Sequence, residues 1–253
     1  MHFPLRFLSS LIFAFSLSAV ALSDSQRSLR YIDGEGLSPI VYKNEEGKVL
    51  GIVPESVYLV FDALGIKLNA SLVPDARVPF ELINGRAEVS TAILYGDLEL
   101  EDFPKPMTIC PTAMLSISVN TIWHRDGSFT EEQMQSLEKI RIGMLNQSPG
   151  LKDASGLSYE HLTSFNSVDA MMKALMSQRV DTILMNWSHA QLTAEKLGRS
   201  DMIKKGPSIA DVHIHLALLT QAFSPDVIAR ACEQVVRFKS KGAFQRIFSA
   251  YFN

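Results

Sequence analysis

The sequence predicts an α/β protein made of two similar lobes. The first observation is a repeated unit, because Arg77 to Leu94 and Met171 to Asn186 each contain a helix pattern, a polar turn with Arg and an acid, and a β-rich run. Four positions match at a constant offset of 93 residues: Leu82 with Leu175, Ile83 with Met176, Arg86 with Arg179 and Glu88 with Asp181. The second observation is that both β-rich runs are short and mostly apolar, as buried parallel strands are. One unit made twice predicts two related lobes, although two helix–strand junctions can also look alike by chance.

The first half of the chain alternates strands and helices. Ser28 to Ile32 predicts a strand that ends in a loop rich in Gly and Pro. A helix follows, with Pro54 near its start, apolar residues at helical spacing and Gly65 just past its end. Lys67 to Val73 is the next predicted strand, and the helix of the repeated unit opens after Pro74.

Two β-rich segments predict crossings between the lobes. Thr112 to Trp123 is long and β-prone, and a second such run lies within Met202 to Leu219. The segments between them predict a strand at Ile140 to Leu145, a strand at His161 to Phe165, a helix from Ser167 and the repeated strand at Val180 to Met185. Two closing helices follow from Asp226 to Phe252, divided at Lys241-Gly242. The predicted order is therefore one lobe, a crossing, the second lobe and a crossing back.

The first 21 residues predict a secretory signal peptide. Arg6 precedes an apolar run from Phe7 to Leu17, and Ala19-Val20-Ala21 is a small-x-small cleavage site. A membrane anchor is the alternative, but the run is shorter than the roughly 20 residues that a spanning helix needs. We therefore expect cleavage after Ala21, a periplasmic location and no direct membrane insertion.

Composition excludes some partners. The formal net charge is −3 at pH 7, and nucleic acids and anionic membranes select basic surfaces instead. We find no nucleophile elbow, no Gly-rich phosphate loop and no catalytic triad order. The sequence therefore indicates no cofactor and no nucleic-acid partner.

The chain contains two cysteines, Cys110 and Cys232. An oxidising compartment permits a disulfide between them, whereas two separately buried thiols are the alternative. The apolar neighbours of Cys232 favour the separate thiols, because a small buried residue fits a helix face.

Several motifs stand in the order found in extracellular solute-binding proteins of family 3, the amino-acid type of periplasmic binding protein. They are SPIVYKNEEGKVLGI, RVPFELINGRAE, RIGMLNQSPG, ALMSQRVD and GAFQRIFSAY. The chain resembles this family over nearly all of its length after the signal peptide. The resemblance implies the α/β type II periplasmic-binding-protein fold, in which two Rossmann-like lobes joined by two crossing strands close on a small ligand. It implies lobe 1 at residues 22–117 and 213–253, and lobe 2 at 118–212.

Candidate ligand residues lie where predicted strands end. Asp33 and Glu35 follow the first strand, and ligands of open α/β sheets bind at such ends, although both could be solvated turn residues. Trp187 follows the repeated strand and could stack on a ligand or only pack. The resemblance adds Tyr95 and Asp97 on lobe 1 and Ser148 on lobe 2.

The resemblance also shows where this chain departs from amino-acid binders. The family holds the α-carboxylate of its ligand with an Arg after the strand at Val89 to Leu94, where this chain has DLELEDF. The family meets the α-amino group with an Asp at the position of Asn186. Arg77 could supply a cation from elsewhere in the cleft, or lie at the surface. An ordinary α-amino acid is therefore not the expected ligand.

The resemblance and the signal peptide together predict a monomeric, non-enzymatic solute-binding protein. It would capture a small polar or aromatic metabolite for transport, with the membrane subunits of an ABC importer or a sensor as partners. One alternative is a dehydratase-like enzyme on the same scaffold, with Glu35 or Asp97 as general acid. Another is metal handling, if His124, His213 and His215 met near the crossings. Two histidines on a strand are more often structural, so we expect no metal.

Overall fold

The computed structural model describes residues 28–35, 38–74, 77–95, 106–137, 139–146, 151 and 162–252. Its strands are β1 Leu29–Gly34, β2 Tyr42–Lys43, β3 Val49–Leu50, β4 Leu68–Val73, β5 Val89–Tyr95, β6 Met107–Ile109, β7 Leu115–His124, β8 Ile142–Leu145, β9 Leu162–Phe165, β10 Thr182–Met185 and β11 Ile203–Leu219. Its helices are α1 Ile52–Asp62, α2 Val78–Ile83, α3 Glu131–Ser136, α4 Val168–Met176, α5 Trp187–Lys196, α6 Pro225–Ser240 and α7 Ala243–Ala250. The strands and helices that the sequence predicts in these ranges are confirmed, and β2, β3, β6 and α5 are additions to that prediction.

One sheet runs through the whole molecule. Its strands follow the order β4-β1-β5-β11-β7-β10-β8-β9, with β6 also paired to β11. The strands β4, β1 and β5 are parallel to one another, and so are β9, β8 and β10. Between these two parallel sets, β11 and β7 are antiparallel to each other and to the sets that they join. The two predicted crossing strands therefore lie side by side at the centre.

The repeated unit predicted from the sequence is confirmed in its hydrogen bonds. The turn residue before the Arg has a positive φ in each copy, 65° at Gly85 and 53° at Gln178. The backbone N–H of the Arg then donates back into the helix, from Arg86 to Glu81 and from Arg179 to Ala174, at 2.9 Å in both copies. Both copies thus end the helix with the same turn, so the match of sequence reflects a match of structure.

The acid of each copy binds an arginine at the start of the neighbouring parallel strand. Arg30 donates to the carboxylate of Glu88 from its backbone N–H at 2.8 Å and from Nε at 3.1 Å. Arg141 donates to Asp181 in the same way, at 2.9 Å and 3.0 Å. Burial alone would raise the pKa of Asp181, but the hydrogen bonds from Arg141 outweigh it and lower that pKa. These two arginine–carboxylate clamps join each helix–strand unit to the sheet.

Each guanidinium also reaches the turn itself. Arg30 donates to the carbonyl of Gly85 at 2.7 Å, and Arg141 donates to the carbonyl of Arg179 at 3.1 Å. The arginines that clamp the turns are therefore not members of the repeat. The side chain of Arg86, which is a member, pairs with Glu81 at 3.3 Å and lies over the ring of Phe80.

The apolar residues form separate cores on the two sides of the crossing strands. The first core contains Tyr31, Phe61 and Leu216 and is covered by α1, α6 and α7. The second core contains Ile122, Met171 and Ala190 and is covered by α4 and α5. A third cluster packs around Trp123 on the opposite face of β7. Within the described ranges, no helix is long and apolar enough to cross a membrane.

Cys110 and Cys232 form a disulfide, so the expectation of separate thiols is wrong. Cys232 packs against the first core on α6, and Cys110 reaches the same core from the segment between β6 and β7. The apolar surroundings of Cys232 are therefore those of a buried disulfide. The bond links residues 122 apart in sequence, which in the chain-entropy model stabilises the fold by about 5 kcal/mol.

The clamp predicts a difference between two kinds of ion pair. Glu88 keeps only 5% of its side chain exposed, so Arg30→Met should lower the free energy of unfolding by about 1–3 kcal/mol. Arg230 pairs with Asp226 on the surface, where their side chains are 52% and 77% exposed. Arg230→Met should therefore change the free energy of unfolding by less than about 0.5 kcal/mol. Urea unfolding of both variants measures this, and equal effects would contradict the clamp.

Candidate functional site

A buried carboxylate marks the carboxyl end of β1. Asp33 is 8% exposed and accepts hydrogen bonds from the hydroxyl of Tyr31 at 2.7 Å, the hydroxyl of Thr91 at 2.9 Å and the backbone of Gly34 at 2.9 Å. The pKa of Tyr31 is raised well above its ordinary value by burial, by the charge of Asp33 and by the hydrogen bond that its hydroxyl donates to Asp33. Tyr31 therefore stays protonated as a donor, and the carboxylate is held in one orientation.

An exposed apolar side chain lies on the next strand. Residues alternate between faces along a strand, so Thr91, Ile93 and Tyr95 share one face of β5. Ile93 is 44% exposed although β5 is an inner strand, with β11 pairing alongside it at Ile214. The Asp33 carboxylate thus has an apolar surface beside it on the same sheet. The sequence does not single out Ile93, because its apolar run also fits a strand buried on both faces.

Asn186 and Trp187 follow β10 at the start of α5. Asn186 caps the helix, since its Oδ1 accepts from the backbone of His189 at 3.3 Å. Its Nδ2 donates to the carbonyl of Ser118 on β7 at 3.2 Å. Trp187 is half-buried and packs against the second core. Both side chains therefore fix the start of α5 against the crossing strand and the core.

The crossing strands bring these two sets of residues to one place. Val212 on β11 pairs with Tyr95 on one side and with Ile117 on the other. Ser118, next to Ile117, carries the carbonyl that binds Asn186. Tyr95 and Asn186 thus flank the same short stretch of the paired crossing strands. This stretch is the floor between the two parallel sets.

Of the other predicted ligand residues, two are exposed and two are not described. The Arg77 side chain is 60% exposed and pairs with Glu81 at 3.1 Å, so part of its charge is already balanced. Glu35 is exposed, and its backbone N–H binds the carbonyl of Val73 at 2.8 Å. Asp97 and Ser148 lie outside the described residues.

The three histidines considered for a metal do not meet. His124 pairs with Ile203 in the register of the crossing strands, ten residues before His213. The Nδ1 atom of His213 bonds the hydroxyl of Ser116 at 3.0 Å, and that of His215 bonds the carbonyl of Cys110 at 2.9 Å. Among the residues that the structure describes, no group of three or more His, Cys, Asp or Glu could hold a metal ion. The described residues therefore offer no metal site of the kind that the metal alternative requires.

Comparison with known proteins identifies the fold. No family model and no curated protein matches the sequence. Three similar solved structures cover 89–91% of this chain and 95–98% of their own. They are a histidine kinase sensor domain with similarity to periplasmic binding proteins (13% identity, TM-score 0.66), the arginine-, lysine-, histidine-binding protein ArtJ from Geobacillus stearothermophilus (12%, 0.67), and AncCDT-1, an ancestral amino acid-binding protein and precursor of cyclohexadienyl dehydratase (12%, 0.65).

The chain has a periplasmic-binding-protein fold. The fold class predicted from the sequence is thereby confirmed. Asp33 and Ile93 lie on the side of the first parallel set, and the start of α5 lies on the side of the second.

His189 lies in the first turn of α5 and was not singled out by the sequence. It is 7% exposed, and its ring lies 6.4 Å from the ring of Phe252, between centroids. Burial lowers the pKa of His189 to about 4, the nearby backbone of Ser38 acts in the opposite direction, and the charge of Lys196 lowers the pKa further. The imidazole is therefore neutral at pH 7 and is held between parts of the chain that are distant in sequence.

The lowered pKa of His189 predicts a pH dependence of stability. In the unfolded chain the imidazole takes up a proton below about pH 6.5, whereas the folded protein resists this until about pH 4. The stabilisation is complete above pH 6.5 and is lost as the pH falls towards 4. Between pH 7 and pH 5 this group should lower the free energy of unfolding by about 2 kcal/mol.

The variant His189→Gln isolates this effect, because glutamine does not titrate. Urea unfolding at both pH values should show a smaller loss of stability in the variant than in the wild type. The same loss in both proteins would show that His189 is not the group responsible.

Proposed function

We propose that this chain is a periplasmic solute-binding protein that captures a small polar or aromatic metabolite between its lobes. The observation that carries the proposal is the oriented carboxylate of Asp33 beside the exposed Ile93, on the wall of the cleft. Ligand sites commonly combine apolar surface with a few placed polar groups. The named ligands of similar structures are amino acids, and one such structure is a sensor domain.

The proposed lobes follow the boundaries expected from the sequence. Lobe 1 comprises residues 22–117 and 213–253, and lobe 2 comprises 118–212, with residues 1–21 as a signal peptide. The separate first and second cores support this division, since each lobe then has its own apolar interior. The ligand site is proposed to include Asp33, Glu35, Arg77, Tyr95, Asp97, Ser148, Asn186 and Trp187, to which we add Ile93.

The proposed ligand is not an ordinary α-amino acid. Asn186 replaces the expected acid and is engaged by the backbone of His189 and of Ser118, so it offers no carboxylate to an ammonium group. Arg77 is shared with Glu81, which weakens it as a clamp for a free carboxylate. The proposed partners are the membrane subunits of an importer or a sensor, and the protein is proposed to act as a monomer.

The second candidate is a dehydratase-like enzyme, which the structural similarity to AncCDT-1 suggests. Dehydration needs a group that hands a proton to the leaving hydroxyl. Asp33 accepts three hydrogen bonds and so acts as an acceptor, and Glu35 is exposed to solvent. The other general-acid candidate, Asp97, lies outside the described residues, and the described part of the site favours binding over catalysis.

A thermal-shift screen of several hundred small metabolites tests solute capture. A ligand at 100 times its Kd should stabilise the wild-type protein by about 2.7 kcal/mol. Ile93→Lys should weaken binding of that ligand at least tenfold, because it puts a charged chain into the cleft. Val236→Lys is the matched control, since Val236 is 52% exposed on α6, and it should bind as the wild type does.

Two outcomes would contradict solute capture in this cleft. One is the absence of any stabilising metabolite in the screen. The other is a ligand whose affinity is the same in Ile93→Lys and in Val236→Lys. Loss of prephenate absorbance on adding the protein would instead support the enzyme.

A further inference from the structure

A pocket of about 350 Å³ lies beside the second core, where two helices end. It is formed by the last turn of α4 and by residues that follow α5. Its lining consists of Lys173, Met176, Ser177, Leu197, Arg199 and Met202. Sites for small organic molecules begin at roughly 300 Å³, so this pocket has room for a small ligand.

This pocket is remote from the candidate ligand site. Asn186 and Trp187 lie at the start of α5, whereas Leu197 is the residue that ends the same helix. A helix of 10 residues is about 15 Å long. Lys173 lies in the last turn of α4, the end of that helix that leads into the turn before Asp181. The pocket is therefore at the clamp end of the second parallel set, away from the strand end that Asn186 follows.

Three side chains supply the apolar part of the pocket. Met176, Leu197 and Met202 are each half-buried, and the first two pack against the second core. A short hydrocarbon chain placed on them would remove their remaining apolar surface from water, which is favourable. The flexible thioethers of the two methionines can adapt to the shape of such a chain.

The pocket also contains two cationic side chains, Lys173 and Arg199. Within the described ranges neither forms a salt bridge. This holds although Asp169 lies one turn before Lys173 on α4, and Asp201 lies two residues after Arg199. Arg199 donates from Nη1 to the sulfur of Met202, a weak acceptor, at 3.6 Å. Because like charges repel, an anion between the two cations would be stabilised.

The ends of the helices do not use up these cations. Basic side chains near a helix C-terminus often compensate carbonyl groups that lack a donor. Here the carbonyl of Lys173 accepts from the backbone N–H of Ser177 at 3.0 Å, and that of Ala194 accepts from the backbone N–H of Arg199 at 2.8 Å. The ammonium and guanidinium groups are therefore available to a ligand.

We propose that this pocket is a second ligand site, which binds a small organic anion: a carboxylate or phosphate carried on a short apolar chain. Arg199 can hold the anionic group through the paired donors of its guanidinium, and Lys173 adds a point charge. Met176, Leu197 and Met202 contact the apolar chain. The site goes beyond the proposed solute capture and does not depend on it.

The test is an NMR titration of the mature protein with methyl-labelled methionine and the disulfide intact. Met176 and Met202 report directly from the pocket, and Met176→Leu and Met202→Leu assign their signals. Hexyl phosphate is the probe, whereas hexanol lacks its charge and inorganic phosphate lacks its apolar chain. Hexyl phosphate should shift both methionine signals to saturation, and each of the other two compounds should bind about tenfold more weakly or less.

A matched pair of variants tests the role of the charge. Lys173→Gln and Lys196→Gln each remove one exposed lysine from the last turn of a helix on the second core, but only Lys173 lines the pocket. Lys173→Gln should weaken the binding of hexyl phosphate by about tenfold, as the loss of a charge-assisted contact does. Lys196→Gln should change it by less than about twofold, because salt screens exposed charges.

Three results would overturn the second site. They are the absence of a saturable shift at Met176 and Met202, equal affinity for hexanol and hexyl phosphate, and equal losses in the two lysine variants. Failure of this site and failure of solute capture are distinguishable, because a ligand of this pocket keeps its affinity in Ile93→Lys, whereas a ligand of the cleft does not.

Discussion

The antiparallel pairing of β7 with β11 is the constraint on which the rest of the structure depends. Each of these strands carries one parallel set on its outer edge, β11 through β5 and β7 through β10. Their register places Val212 beside both Tyr95 and Ile117, and so fixes how the two parallel sets are aligned along the crossing strands. The pairing of the long strand β11 with β7 contains register shifts between Lys205 and Ala210, as β-bulges produce. The site is therefore positioned by backbone pairing, and its side chains only line it.

The crossing strands hold the two parallel sets together, and the arginine–carboxylate clamps hold each helix–strand unit to its own parallel set. A helix that ends at a tight turn must be fixed against its sheet if the strand end is to present a ligand group precisely enough. Arg30 with Glu88 and Arg141 with Asp181 supply that attachment at the opposite end of the strands from Asp33 and Asn186. Charge-assisted hydrogen bonds are shorter and stronger than neutral ones, which suits them to this task. The stabilising clamps and the candidate ligand residues thus lie at opposite ends of the same strands.

Local signals allowed much of the fold to be predicted. Ser167 accepts from the backbone of Ala170 at 3.2 Å and so begins α4 as its cap chemistry indicates. Gly242, with φ of 65°, divides the closing helices where the sequence places the break. Contacts between distant residues could not be predicted in this way. Arg30 and Glu88 are 58 residues apart, and nothing in the local pattern pairs them.

The candidate site was only partly predictable for the same reason. The strand-end rule finds Asp33, because a polar residue after a β-rich run is a local signal. Ile93 stands out by its exposure and His189 by its contact with the distant Phe252, and a linear pattern contains neither. The prediction of separate thiols was wrong for a similar reason, since the apolar neighbours of Cys232 suit a thiol and a half-cystine equally well. What the sequence leaves open is thus the set of contacts that tertiary packing decides.

The central claim is that the space between Asp33 and the start of α5 holds a small organic molecule. Native mass spectrometry of freshly purified protein tests it most directly, because a captured ligand appears as added mass. The account predicts a small organic adduct on the wild type that is reduced in Ile93→Lys and retained in Val236→Lys. An adduct of equal occupancy in both variants, or a bare polypeptide mass under conditions that preserve known complexes, would contradict it.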